Sequence, residues 1–255
     1  LPVIGLTRTL VDLADFDTLR RRFEADRPQC ILHCAAMSKT NECQAHPELA
    51  RKHNVEVTAR LAELAADIPF LFFSTDLVFD GRLGNYDESA ATNPLGIYAE
   101  TKVAAERLVL ANPKHTVVRT SLNGGASPTG NRGFNEEMRR LFQTGQTLRL
   151  FADEFRSPIS ASVTARAIWE LVQHAPPGLY HLAGSERLSR YQIGLRLAAR
   201  WPGLNPKIEA ASLKEYQGAP RAPDTSLNSS KLQQHLSFQL PGLTEWLKEN
   251  PKVRF

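Results

Sequence analysis

The segment Tyr98-Ala99-Glu100-Thr101-Lys102 places a phenol and an ammonium four positions apart. On a helix, positions i and i+4 share a face, so the two groups can meet. An isolated phenol titrates near pH ~10, and a fixed cation beside it favours the anion and lowers that value. Such a pair is a proton donor and acceptor suited to interconverting an alcohol and a ketone near neutrality. The spacing alone says little, because an ordinary surface pair on a helix looks the same. A second feature sharpens it. Ser74-Thr75 closes an apolar run about one loop upstream, and a hydroxyl at a strand end can hydrogen-bond a developing oxyanion. The alternative for Thr75 is a plain cap at the strand end.

These side chains need a frame that holds a strand end beside a helix. Residues 2–6 read as a strand and 15–26 as a helix with Phe16, Leu19 and Phe23 on one face. Strands follow at 29–33, 69–74 and 115–120, with helices at 47–67 and 97–112 between them. The run 69–74 is apolar throughout, as a strand covered on both faces should be. Strands alternating with long helices predict an α/β fold with a doubly wound parallel sheet. From 122 to 133 the chain turns to Gly, Asn, Ser and Pro, the chemistry of an exposed loop. Helices are expected at 134–144, 162–174 and 189–201, short strands at 148–151 and 178–182, and a proline-rich, loop-heavy stretch at 202–223.

The chain has 255 residues, of which 42% are apolar and 23% charged, an ordinary balance for a globular protein. Its net charge of +4 is scattered rather than gathered into a stripe, which argues against a nucleic-acid partner. No apolar run approaches the ~18 residues of a membrane span, and no secretory leader is evident. A cytoplasmic location is expected. Cys30, Cys34 and Cys43 have no C-x-x-C spacing and are expected to be reduced thiols, with no metal site. A dinucleotide fold opens with a strand and a Gly-rich turn whose following helix holds the pyrophosphate. Here the chain starts at what reads as the second strand, so about 25–30 further residues are expected upstream, the length of one such unit.

The run Ser74-Thr75-Asp76-Leu77-Val78-Phe79-Asp80-Gly81 followed by Tyr98-x-x-x-Lys102 resembles the extended short-chain dehydrogenase/reductases, and within them the dTDP-4-dehydrorhamnose reductase family. The likeness continues through Asp12-Leu13, His33-Cys34-Ala35-Ala36, Asn54, Arg119-Thr120-Ser121 and Arg221-Ala-Pro-Asp-Thr-Ser-Leu. It implies an NAD(P)-binding Rossmann core over residues 1–122 that lacks its first strand and Gly-rich turn, with 146–175 returning to it. Residues 123–145 and 176–255 would form a smaller substrate-binding lobe.

The resemblance implies an NAD(P)-dependent oxidoreductase that reduces a keto group on a nucleotide-activated sugar. Tyr98 would be the general acid, Lys102 would lower its pKa and hold the nicotinamide ribose, and Thr75 would orient the carbonyl. Arg8, Asp12, Leu13, Cys34, Ala35, Ala36, Ser74 and Ser121 would join Tyr98 and Lys102 around the cofactor. Thr75, Asp76, Leu77, Phe79 and Arg221 would face the substrate. Arg8 sits where a cation can meet a 2′-phosphate, which favours NADP(H), with NAD(H) left open. Two departures bear on substrate choice: Leu77 stands where the family usually has an aromatic, and Arg221-Ala222-Pro223 loosens an Arg-Pro pair. Two other readings stay open. One is a sugar-nucleotide epimerase on the same fold. The other is a non-catalytic, NADP-binding regulatory subunit resembling the beta subunit of methionine adenosyltransferase. A homodimer is compatible with any of these.

Overall fold

The computed structural model describes residues 2–253. The first half alternates as expected: α1 (Phe16–Asp26), β1 (Ile31–His33), α2 (Thr40–Ala45), α3 (Pro47–Arg51), α4 (Val57–Leu64), β2 (Phe70–Thr75), α5 (Ile97–Leu110) and β3 (His115–Thr120). The second half holds β4 (Asn123–Gly124), α6 (Phe134–Gln143), β5 (Thr147–Phe151), β6 (Phe155–Arg156), β7 (Ile159–Ser160), α7 (Ala161–His174), β8 (Gly178–Leu182), β9 (Leu188–Ser189), α8 (Arg190–Arg200), β10 (Lys207–Ala211), α9 (Ser230–Gln233) and α10 (Leu243–Glu249). The main sheet runs β1–β2–β3–β8. β1 lies parallel to β2, with Ile31 opposite Phe70 and His33 opposite Phe72. This is the α/β class that the alternation predicts.

By internal contacts the chain divides into two units. The first comprises the chain as far as Ser74, with Gly96–Val117 and Pro177–Leu179. Its core gathers Val11, Leu19, Val57, Leu61, Phe70, Phe72, Val109 and Val117. α1 starts because the Asp15 side chain accepts from the Thr18 amide at 3.1 Å, filling an otherwise orphaned donor. It stops where Arg27 turns left-handed at φ 45°. The helix expected over 47–67 forms as one run interrupted by a π-helical turn at Lys52–Glu56.

The second unit comprises Thr75–Leu95, Val118–Pro176 and the chain from Tyr180 onward. Met138, Phe142, Leu148, Leu188, Ile193, Leu197, Leu243 and Trp246 form its core. α8 is fixed at its start by a reciprocal cap in which Ser189 accepts from the Gln192 amide and Gln192 accepts from the Ser189 amide. The proline-rich stretch at 202–223 is not all loop: β10 pairs parallel to β5 from Lys207–Thr147 to Ala211–Phe151. Of its five residues only Ile208 is half-buried and Ala211 buried, three apart rather than at the strand period, which gave too little pattern to detect.

One expected strand is absent. Residues 2–6 form none. Pro2 lacks an amide donor and Gly5 adds no packing, so the segment is a poor strand without a neighbour. Val3, Ile4 and Leu6 remain 75%, 59% and 42% exposed. No helix of the described residues is long and apolar enough to cross a membrane. Among the described residues no cluster of three or more His, Cys, Asp and Glu could hold a metal ion.

The loop expected before residue 134 is ordered by one carboxylate. Glu136, in the first turn of α6, accepts from the Ser127 amide and hydroxyl and from the Arg132 and Gly133 amides at 2.6–3.0 Å. Burial pushes this carboxyl up, but the bonds from Gly133, Ser127 and Arg132 outweigh it and hold it down to about 2. Glu136→Ala should therefore cost about 1–3 kcal/mol at pH 7 in urea unfolding. Because the folded value lies below the ordinary one, the contribution is complete above pH 4.5 and disappears as pH falls through about 2. Wild type and variant should converge in acid; a constant difference would show that Glu136 acts through packing.

Candidate active site

In the first unit the Tyr98–Lys102 pair lies on the first two turns of α5. Tyr98 is half-buried, whereas Lys102 is only 2% exposed. The Lys102 ammonium donates to the Phe73 carbonyl on β2 at 2.6 Å and lies 3.8 Å from the centre of the Phe72 ring. The ring face and the carbonyl oxygen are both electron-rich, which makes them suitable company for a buried cation. Burial nevertheless lowers the ammonium to about 7, against the opposing pull of Glu106 and Cys34. Lys102 therefore changes charge near neutrality.

Glu106 follows Lys102 by one turn of α5 and is 3% exposed. Its carboxylate accepts from the Ser74 hydroxyl at 2.5 Å. Ser74, expected at the cofactor, thus has its hydroxyl directed at α5. His33, at the end of β1, donates to or accepts from Thr58 Oγ1 at 3.1 Å, and burial and the Lys102 charge lower it to about 3. It is a neutral residue at physiological pH.

The π-helical turn carries Asn54, 1% exposed. Its side chain accepts from the Met37 amide at 2.8 Å and donates to the Met37 carbonyl and to Thr101 Oγ1, both at 3.0 Å. Thr101 in turn donates to the Tyr98 carbonyl at 2.7 Å. One amide therefore ties the segment after β1 to the turn of α5 that bears the phenol. π-turns of this kind recur where a side chain must be re-aimed at a functional site. Cys34, Ala35 and Ala36 follow β1 as an exposed run of small side chains. Arg8 and Asp12 are exposed and Leu13 is half-buried, and Asp12 caps the Ala14 amide at 3.0 Å.

In the second unit Thr75 begins a short turn. Its hydroxyl accepts from the Leu77 amide and donates to Asp76, both at 3.2 Å. Asp76 also accepts from the Ser121 hydroxyl at 2.7 Å, and the Arg156 guanidinium stands 3.7 Å away. Burial raises the Asp76 carboxyl despite Arg156 and the hydroxyls. Asp76 and Phe79, both expected at the substrate, lie inside the unit. Phe79 is fully buried, stacked at 4.1 Å on Tyr86, with Arg119 over it and His181 at its edge. Its ring is committed to packing. Leu77 is half-buried.

Arg221, the remaining expected substrate residue, is held in a fork by Glu154 at 2.6 and 2.7 Å and lies over Phe151 and Tyr216. Arg156 reaches the same carboxylate at 3.0 Å. Glu154, Arg156 and Glu106 are absent from the sequence-based reading. Glu106 was detectable as the next i+4 position after Lys102. The partners of Glu154 lie as far as 67 residues away, and no local pattern announces them.

The chain matches the family described as the RmlD substrate binding domain over residues 1–252. It is similar to the dTDP-4-dehydrorhamnose reductase of Salmonella typhimurium (strain LT2), 32% identical over 232 residues, which cover 84% of this chain and 76% of that protein. The crystal structure of a hypothetical dTDP-4-dehydrorhamnose reductase from Sulfolobus tokodaii aligns with a TM-score of 0.82 at 31% identity, covering 91% of this chain and 83% of that one. The dTDP-4-dehydrorhamnose reductase of Bacillus anthracis, solved in complex with NADP, shares the fold with a TM-score of 0.88 at 24% identity, over 96% and 87% of the two chains.

Proposed function

Starting from the fact that the chain belongs to the RmlD substrate binding domain family, we propose that it reduces a keto group on a nucleotide-activated sugar, a dTDP-4-keto sugar, using NADPH. The observation that supports this most is the buried Lys102 ammonium one helical turn from the half-buried Tyr98 phenol. When bound, the reduced nicotinamide supplies the hydride. Tyr98 gives its proton to the oxygen that becomes the alcohol. Lys102 makes the phenol more acidic, and an ammonium has three donors, of which Phe73 engages one. The others suit the hydroxyls of a ribose. The small side chains of Cys34, Ala35 and Ala36 suit close approach by a dinucleotide, and Arg8 suits a 2′-phosphate. Thr75 orients the carbonyl by turning its hydroxyl from Asp76 to the substrate, while Arg221 faces the sugar nucleotide. Residues 1–122 with 146–175 carry the dinucleotide in this reading, and 123–145 with 176–255 the sugar. The setting is the cytoplasm and the working form a homodimer.

Steady-state oxidation of NADPH with dTDP-4-keto-6-deoxy sugars tests this reading. Sugar-dependent turnover supports it. Tight NADP binding without turnover, together with a stable protein partner, would favour a regulatory subunit instead, and interconversion of sugar epimers without net oxidation would favour an epimerase.

Lys102→Met separates function from stability. It should weaken NADP binding and remove the ionisation near pH 7 from the pH–rate profile. The same variant should be more stable than wild type at pH 7. The folded ammonium value, about 7, lies below the ordinary 10.5, so the unfolded chain holds the proton between those limits. Wild-type stability therefore rises with pH across that window, and the advantage of the variant should shrink toward pH 10.5. Thermal melts at pH 7 and 10 check this. A variant less stable at pH 7 would show that the carbonyl and ring contacts outweigh desolvation.

A further inference from the structure

The end of β2 carries the hydroxyl that a keto-sugar reductase needs, and the second unit holds it through a chain of bonds. Thr75 is 7% exposed. A hydroxyl has one hydrogen and two lone pairs. In Thr75 the hydrogen goes to Asp76 and one lone pair takes the Leu77 amide, both at 3.2 Å. Asp76 is 5% exposed, and burying an anion to that degree is costly unless donors surround it. Its other oxygen accepts from the Ser121 hydroxyl at 2.7 Å, with the Arg156 guanidinium 3.7 Å away. The buried Thr225 hydroxyl also bears on this carboxylate. Ser121 is fixed in its turn: its oxygen accepts from the Ser157 amide at 3.2 Å, while its one hydrogen goes to Asp76.

The two hydroxyl bonds to Asp76 differ in strength. O–H···O bonds are usually about 2.7–2.8 Å long, so the Ser121 bond is at full strength and the Thr75 bond is stretched. A stretched bond is readily given up to a better acceptor, and the short one keeps the carboxylate in place afterwards. We propose that Asp76 and Ser121 are positioning residues that act through Thr75: Asp76 fixes the Thr75 hydroxyl, and Ser121 holds the carboxylate that fixes it. This deepens the reductase reading and rests on it for the catalytic consequence. Motif resemblance puts Ser121 at the cofactor and Asp76 at the sugar. Instead, both work one and two bonds back from the reacting carbonyl, and neither has to touch a ligand. The Thr75 oxygen stays where Leu77 and Asp76 hold it, and only its hydrogen turns, from carboxylate to substrate. A donor placed in advance in this way stabilises the developing oxyanion without rearrangement of the site.

The test is a kinetic cycle in the full protein. Thr75→Val, which removes the hydroxyl at nearly constant shape, should lower kcat about 10²–10³-fold. Asp76→Asn should lower kcat about tenfold, a fraction of what a misplaced group can cost, but less than about twofold in a Thr75→Val background. KM for the sugar and the Kd for NADP should each change less than about threefold, as expected for an effect on the chemical step. Ser121→Ala should follow the same pattern, and Ser121→Thr, which keeps the hydroxyl, should recover most of the loss. A loss in Asp76→Asn that persists without the Thr75 hydroxyl overturns the proposal. So does a raised KM in Asp76→Asn, or weakened NADP binding in Ser121→Ala, with kcat intact, because each would mean direct contact with a ligand. Should Asp76→Asn not fold, Ser121→Ala carries the comparison from one bond further away. A second measurement needs no turnover. Ser121 and Thr75 share Asp76 as their partner, so Ser121→Ala and Thr75→Val together should shift the urea-unfolding equilibrium at least about threefold beyond the product of the single effects. Independent effects overturn the proposal even if no keto sugar is a substrate. If wild type turns over no sugar while this coupling is present, the reductase reading fails and the clamp on Thr75 stands.

Discussion

Tyr98→Phe is expected to lower kcat by roughly 10²–10⁴-fold, the range that a positioned general acid supplies. NADP affinity should change less than about twofold, since a ring of the same shape remains. The loss should fall mainly on turnover because the bonds that place the backbone under the ring do not involve the hydroxyl. The backbone at Tyr98 is set by Thr101, which donates to its carbonyl, and Thr101 is held by Asn54. Removing a phenol oxygen from a half-buried ring leaves that chain of bonds intact. Steady-state kinetics with a dTDP-4-keto sugar and a binding titration with NADP read the two quantities. Activity within about tenfold of wild type would remove Tyr98 as the acid. A parallel collapse of NADP affinity would instead mean that the phenol binds the cofactor rather than transferring a proton.

The parts of the molecule that announce themselves in sequence are those fixed by local periodicity. The strand at 115–120 and the helix at 97–112 appear as His115–Thr120 and Ile97–Leu110 because their apolar residues repeat at the strand or helix period. Where local preference and tertiary context part, the sequence misleads. Residues 2–6 have a strand's composition but no strand forms there, and β10 has little pattern yet forms because β5 accepts it in full register. The π-turn at Lys52–Glu56 is invisible for a related reason. It is held by Asn54 reaching Met37 and Thr101, 17 and 47 residues away. At the site, residue type and spacing bring out Tyr98 and Lys102, while what surrounds them comes from burial. The setting of the Lys102 charge includes a buried ring and a backbone carbonyl, neither of which spacing displays. Arg221 shows the converse: motif resemblance points it at a substrate, and the folded chain also uses it to satisfy Glu154.

That last pairing predicts the largest effect on stability. Glu154 is 1% exposed and is gripped by Arg221 and Arg156, while Arg190 adds positive charge to its surroundings. Burial pushes the carboxyl up, but Arg221 and Arg156 outweigh it and hold it below the ordinary value. Three guanidiniums thus depend on one carboxylate, with Asp76 at 3.7 Å from Arg156 as the other nearby anion. Glu154→Ala should cost about 3–5 kcal/mol, the usual result of leaving a buried cation without its partner. The sign with pH follows from the lowered value. The contribution is complete above pH 4.5 and is lost as pH falls through the lower folded value, so variant and wild type should converge in strong acid. Arg156→Met added to Glu154→Leu should recover much of the loss, because removing both charges leaves less to desolvate. Urea unfolding of the three proteins at pH 7 decides the matter. A Glu154→Ala cost below about 1 kcal/mol, the scale of exposed ion pairs, would mean that water reaches this cluster and that Arg221 is free enough to meet a ligand without giving up a structural bond.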